Sequence, residues 1–170
     1  MRSVLQIVVL MLVVGTAQTT LTQMLPPLGL VDGLMVAIGL LALRRTFASS
    51  VLIGALAGFV QDSLSGGIVG LHAFSKTVVA ALITSLGSVI VVRGQLAETI
   101  VIGGAAVLEG TIVMGLLGFF AWPGGEALAT IAARGGATAV VGGLIIAGGP
   151  RLVVGWQRRR RRSPLSPPRR

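Results

Sequence analysis

The stretch Gly54–Ser75, GALAGFVQDSLSGGIVGLHAFS, decides the fold, because an apolar run is interrupted in it by one acidic residue and a glycine-rich turn. Gly54, Gly58 and Asp62 recur at four-residue spacing, so they share one face of a helix. Ser65-Gly66-Gly67 is typical of a turn. We therefore expect a helical hairpin in which small residues let the two backbones approach closely.

The composition of the whole chain indicates a membrane protein. It has 170 residues, of which 54% are hydrophobic and 11% are charged, with a mean hydropathy of +0.93. Soluble domains carry about 25% charged residues. A membrane-spanning helix needs about 20 apolar residues, so six helices account for roughly 120. The sequence predicts an all-α, polytopic six-transmembrane-helix bundle with short loops.

Gaps between charged residues mark the six predicted spans: about 3–23, 28–43, 47–64, 71–92, 98–120, and one that begins within 127–135 and ends between 149 and 154. The short loops with Lys and Arg contain Arg2, Arg44-Arg45 and Arg93, which fall on the same side as the basic C-terminus. Because Lys and Arg collect in cytoplasmic loops, both termini are expected in the cytoplasm.

The C-terminus carries a run of five positive charges: Arg158, Arg159, Arg160, Arg161 and Arg162. A basic run directly after a membrane helix favours contact with anionic lipids over nucleic acid. We therefore expect a transmembrane domain at 1–157 and a disordered cytoplasmic tail at 158–170, lying on the anionic inner leaflet.

Ionisable residues within the spans are candidates for a structural or a functional role, since each needs a partner or water inside the bilayer. Asp62 and Lys76 lie at predicted depths of roughly 6 and 7 Å, so an ion pair between them is expected. The alternatives are that these two residues belong to a ligand or proton pathway, or that they do not contact each other. His72 shares a polar helix stripe with Lys76.

Two further acidic residues fall within predicted spans. Glu109 lies near a span centre, where we favour a packing role over a proton pathway and where Arg134 is one possible partner. Asp32 follows Pro26-Pro27 and is expected to cap a helix or to face the outer interface.

Most catalytic signatures are excluded by residue counts. The chain has no cysteine and one histidine, so thiolate metal sites and the H-E-x-x-H motif are absent from the sequence. Ser63, Ser65 and His72 raise the alternative of an intramembrane serine protease, but serines capping a helix end or turn are the favoured interpretation. We expect no catalytic residue, metal or cofactor.

The hairpin residues resemble the signature of the rod shape-determining MreD family. Asp62, Ser65, Gly66, Gly70 and Leu71 match that signature in order. Asp32 is similar to an earlier acidic position of the family, and the length, the predicted spans and the basic C-terminus also fit.

This resemblance implies a non-enzymatic scaffold of the bacterial inner membrane. It implies action in the rod (elongasome) complex with MreC, RodA and a class B penicillin-binding protein, in cell shape and lateral peptidoglycan synthesis. It also implies a fold similar to the substrate-binding subunits of energy-coupling-factor transporters, so a small-solute (vitamin-like) binding subunit is the alternative. The scarcity of aromatic residues, 4% with no tyrosine, favours the scaffold.

The partner of such a scaffold is expected within the bilayer, because the loops are too short for a soluble docking surface. Pairs of small residues at four-residue spacing are the predicted contact faces for the membrane helix of an MreC-like subunit. These pairs are Gly54/Gly58, Ala106/Gly110 and Gly143/Ala147.

Overall fold

The computed structural model describes residues 2–25, 29–89, 94–118 and 126–161, and these contain six helices and no strand. The helices are α1 (Arg2–Met24), α2 (Gly33–Ala42), α3 (Phe47–Ser65), α4 (Leu71–Val89), α5 (Gln95–Gly118) and α6 (Glu126–Arg161). Five of them are long and apolar enough to cross a membrane, and α2 is the exception. The all-α, polytopic membrane bundle expected from the sequence is confirmed.

Helix α2 is shorter than predicted. Its ten residues span about 15 Å, or half of a hydrocarbon core of about 30 Å, so a continuous helix over 28–43 is wrong. The helix begins where the Oδ1 of Asp32 accepts a hydrogen bond from the Met35 amide at 2.9 Å. The amide of Leu34 donates to Gln18 on α1 at 3.3 Å. Because these bonds satisfy amides at its start, α2 can begin inside the bundle.

The chain reverses direction in the α3–α4 hairpin, as predicted. A Cβ atom placed on Gly54 would lie 2.6 Å from the carbonyl oxygen of Lys76, and one on Gly58 would meet the carbonyl oxygen of His72. Only glycine permits this approach, so α3 and α4 pack backbone to backbone and antiparallel.

The α5–α6 pair is built in the same way. Gly103 lies against Ala139 and Gly135 against Val107, while Gly143 faces Thr99. Residues that come later along α5 therefore contact residues that come earlier along α6, so the two helices are antiparallel.

Contacts of α2 fix the direction of the remaining helices. Asp32 lies beside Lys76 and the carbonyl of Ala42 accepts a hydrogen bond from Thr84, so α2 runs parallel to α4. Gly33 lies against Val14 on α1. With Gly29 beside Thr22, this makes α1 antiparallel to α2. Lys76 lies between Asp32 and Glu109, and Gly39 on α2 lies against Ile102 on α5, so α5 runs antiparallel to α2. Direction therefore alternates from α1 to α6.

The small-residue faces expected to bind a partner are occupied within the bundle. Gly54 and Gly58 contact α4, Gly110 faces Ile131, and Gly143 faces Thr99. Ala106 is buried in the core. Each of these pairs therefore has at least one member packed against another helix of the chain, and contact of these faces with a partner stays a prediction.

Helix α6 extends further than expected. It continues to Arg161, beyond the predicted end between 149 and 154. Four residues assigned to the tail, 158–161, thus prolong the helix, while residues 162–170 lie outside the described residues. The disordered tail and its contact with lipid stay predictions.

Candidate functional site: a buried charge cluster

Lys76 is fully buried and bridges two carboxylates. Its Nζ atom lies 2.5 Å from Oδ2 of Asp32 and 2.9 Å from Oε1 of Glu109. All three side chains are at most 4% exposed. The predicted pair of Asp62 and Lys76 is wrong, because matched depth does not specify the side of a helix, and the ammonium points toward α2 and α5.

His72 completes the cluster one helical turn before Lys76. Its Nδ1 lies 3.0 Å from the same Oε1 of Glu109. Glu109 therefore has partners on α4, and the suggested pairing with Arg134 is wrong. Because an ionised Glu109 only accepts hydrogen bonds, Nδ1 of His72 must carry a proton in this contact. We call Asp32, His72, Lys76 and Glu109 the charge cluster.

Asp62 serves the hairpin turn instead. Its carboxylate accepts hydrogen bonds from three amides at the start of α4, those of Gly70 at 2.9 Å, His72 at 3.0 Å and Ala73 at 3.1 Å. These amides have no acceptor within their own helix, so Asp62 caps α4 from the end of α3. This explains why the helix after the turn begins at Leu71.

The other signature residues shape the same turn. Ser65 donates a hydrogen bond to the carbonyl of Asp62 at 3.3 Å. Gly66 and Gly70 have φ angles of 64° and 98°, a region that side chains disfavour. The matched residues thus act together in building the α3–α4 connection.

Two residues at this site were missed from the sequence. Thr138 on α6 is fully buried, and its hydroxyl oxygen accepts a hydrogen bond from the amide of Asp32 at 3.0 Å. Gln18 on α1 accepts from Leu34. A threonine or glutamine within an apolar helix is the only signal that either one gives, and such residues commonly bond to their own helix.

A cavity of about 50 Å³ adjoins the charge cluster. Its polar lining consists of Asp32, His72, Glu109, Thr130, Arg134 and Thr138. One water occupies about 30 Å³ of liquid, so the cavity has room for one or two waters. Pockets for vitamin-sized ligands are about 300–1,000 Å³, so this cavity is too small for such a solute.

Neither a nucleophile nor a metal-ligand set is assembled in the described part of the chain. Ser65 bonds to the carbonyl of Asp62 at the end of α3, which is the capping role that was favoured, whereas Ser63 donates to the carbonyl of Phe59 within α3 at 2.8 Å. Among the described residues, no group of three or more acidic, His or Cys side chains is placed to hold a metal ion.

The family model for the rod shape-determining protein MreD matches residues 1–123. The chain belongs to the MreD family. No curated protein and no solved structure matches it. The matched region contains all four residues of the charge cluster and the Asp62 turn, whereas α6 with Thr138 lies beyond it.

Membership of this family gives the chain a role in rod shape determination, in association with the rod-shape machinery. Together with the apolar helices, it identifies a multi-pass membrane protein. The predicted likeness to transporter substrate-binding subunits stays a prediction.

Proposed function

We propose that the chain is a non-enzymatic scaffold of the bacterial inner membrane, with both termini in the cytoplasm. It acts with an MreC-like subunit, and through it with RodA and a class B penicillin-binding protein, in cell-shape maintenance and lateral peptidoglycan synthesis. Family membership supports the role in cell shape. The one-sided Lys and Arg distribution supports the orientation.

The observation that carries the scaffold function is the use of the buried polar groups. Lys76 joins α4 to α2 and α5, Thr138 joins α6 to the start of α2, and Asp62 closes the α3–α4 turn. Each of these side chains holds helices together. A rigid bundle of this kind suits a protein that presents a fixed surface to partners within the membrane.

The surface that we propose for the partner is carried by α1. This helix exposes Leu5, Val9, Leu12 and Val13, and it is the least buried of the five long helices. Beside it lies an open apolar groove of about 360 Å³, which we call the α1–α6 groove. Its lining includes Val13, Ala17, Leu21, Val31, Gly33 and Val141.

The membrane helix of an MreC-like subunit is the proposed occupant of this groove. The small, exposed side chain of Ala17 leaves room for close helix approach. The segment before α2 also lines the groove through Val31, and irregular backbone at membrane depth is tolerated where protein covers it.

Co-purification tests the proposal. The tagged chain and an MreC-like protein are co-expressed, extracted in mild detergent and separated by size exclusion. Ala17→Leu, which fills the groove, should reduce co-elution, whereas Ala133→Leu on the exposed surface of α6 should not. Equal co-elution of both variants with the MreC-like protein would contradict the groove as the binding site of the partner.

A further inference from the structure

A second open cavity, of about 310 Å³, lies at the end of the bundle where α2 ends and α3 begins, against the last turns of α4. We call it the Arg45 cavity. At about 30 Å³ per water it has space for roughly ten waters, so it can hold a group much larger than a single ion.

The polar part of the lining supplies donors. Arg45, Thr46 and Ser85 provide a guanidinium and two hydroxyls, and no acidic side chain among the described residues lines the cavity. The hydroxyls of Thr84 and Ser88, which also line it, already donate to backbone carbonyls of α2 and α4. Thr46 precedes α3 but makes no side-chain cap bond to it, since its hydroxyl lies 3.0 Å from that of Ser49. A fixed positive charge beside several donors favours an oxyanion such as a phosphate.

The two neighbouring arginines have different surroundings. Arg44 lies 3.7 Å from the carboxylate of Glu98 on α5 and does not line the cavity. Arg45 does line it. Among the described residues that line the cavity, Arg45 carries the positive charge, and Arg44 provides a control of equal charge one residue away.

The remaining wall is apolar. Ala42, Leu43 and Phe47 line the cavity, and Phe47 is 55% exposed. A free phosphate would gain nothing from these side chains. The glycerol and first acyl carbons of a phospholipid would cover them while the phosphate contacts Arg45.

We propose that the Arg45 cavity binds the phosphate-bearing headgroup of a phospholipid from the adjacent leaflet, with its acyl chains along Leu43 and Phe47. The cavity thus recognises a phosphodiester group that is joined to an apolar chain. This site is separate from the α1–α6 groove and does not rest on the partner proposed for that groove.

Native mass spectrometry of the full chain, delipidated in detergent and titrated with phosphatidylglycerol, tests the site. Arg45→Gln should weaken the association of the first lipid roughly tenfold, the size of one lost charge-assisted hydrogen bond. Arg44→Gln, with the same change in net charge, should stay within about twofold.

A charge-neutral variant separates shape from electrostatics. The nearest atom to a Cβ placed on Gly87 is a Leu43 methyl at 3.7 Å, an ordinary van der Waals contact, so Gly87→Leu fits without a clash at its Cβ and fills part of the cavity. It should abolish first-lipid binding with both arginines intact. Equal losses for the two arginine variants, or unchanged binding in Arg45→Gln, would overturn the site. Displacement of the lipid by an equal concentration of inorganic phosphate would overturn the phospholipid assignment.

Discussion

The Nζ atom of Lys76 lies 2.5 Å from Oδ2 of Asp32, a residue 44 positions earlier in the chain. This contact places the start of the short helix α2 against α4 inside the bundle. The same ammonium also contacts Glu109 on α5, so one buried charge holds three helices together.

Removal of that charge should destabilise the bundle. Lys76→Met leaves Asp32 and Glu109 without their shared cation, and breaking a buried ion pair costs about 3–5 kcal/mol. The triple variant Lys76→Met, Asp32→Asn, Glu109→Gln should recover part of the loss, since no unpaired carboxylate remains. Denaturant-induced unfolding in detergent measures the free energy of unfolding of the single variant, of the triple variant and of Asp32→Asn and Glu109→Gln alone. Losses that simply add across the substitutions would show that the three groups are not coupled.

The close approach of α3 and α4 makes Gly58 sensitive to size. A Cβ atom there would overlap the backbone of His72 and Ala73, so Gly58→Leu should force the helices apart and cost more than the 1–3 kcal/mol typical of overpacking. Gly104→Leu on α5 is the matched control, because no atom lies within 4 Å of its added Cβ. Comparable thermal stability of the two variants in detergent would contradict the hairpin contact.

Loss of the Asp62 cap should open the start of α4. Asp62→Leu leaves three half-buried amides without this acceptor, and because water can reach them each should cost less than the roughly 1–3 kcal/mol of one fully buried unsatisfied group. Asp62→Asn keeps one carbonyl oxygen and should cost less. Hydrogen exchange at the amides of Gly70, His72 and Ala73 should be fastest in Asp62→Leu, slower in Asp62→Asn and slowest in the wild type. Unchanged exchange in Asp62→Leu would show that the carboxylate does not cap the helix.

The alternating helix directions predict six passes in spite of the short α2. Reporter fusions after Gly67 should therefore be located outside the cell, and fusions after Gly94 and Arg162 inside. A cytoplasmic location at Gly67 would show that α2 and the segment before it do not return the chain across the membrane.

Sequence patterns predicted the hairpin because its determinants are local. Asp62, Gly66 and Gly70 are close in the chain, and glycine spacing on one helix reports how near another backbone can come. Helix ends were also predicted to within a few residues wherever charges or glycines mark them, except at α2 and α6.

The charge cluster could not be predicted in the same way. Depth counting placed Lys76 level with Asp62, but it carries no information about which way a side chain points around its helix. Asp32 reaches Lys76 because α2 begins in mid-bundle, where Gln18 and Asp32 satisfy its first amides. Hydropathy counts apolar residues and not hydrogen bonds, so it extended α2 across the whole span.

The central claim, a scaffold whose α1–α6 groove holds a partner's membrane helix, is tested most directly by disulfide crosslinking. The chain has no cysteine, so Val13→Cys introduces a single thiol at the groove, and Leu86→Cys places one on the exposed surface of α4 as control. Each variant is co-expressed with an MreC-like protein that carries single cysteines along its membrane helix. We expect crosslinks at Val13 that recur at helical spacing along the partner, and none at Leu86. Crosslinks at Leu86 alone, or a chain that elutes without the partner and with a tightly held small molecule, would contradict the account.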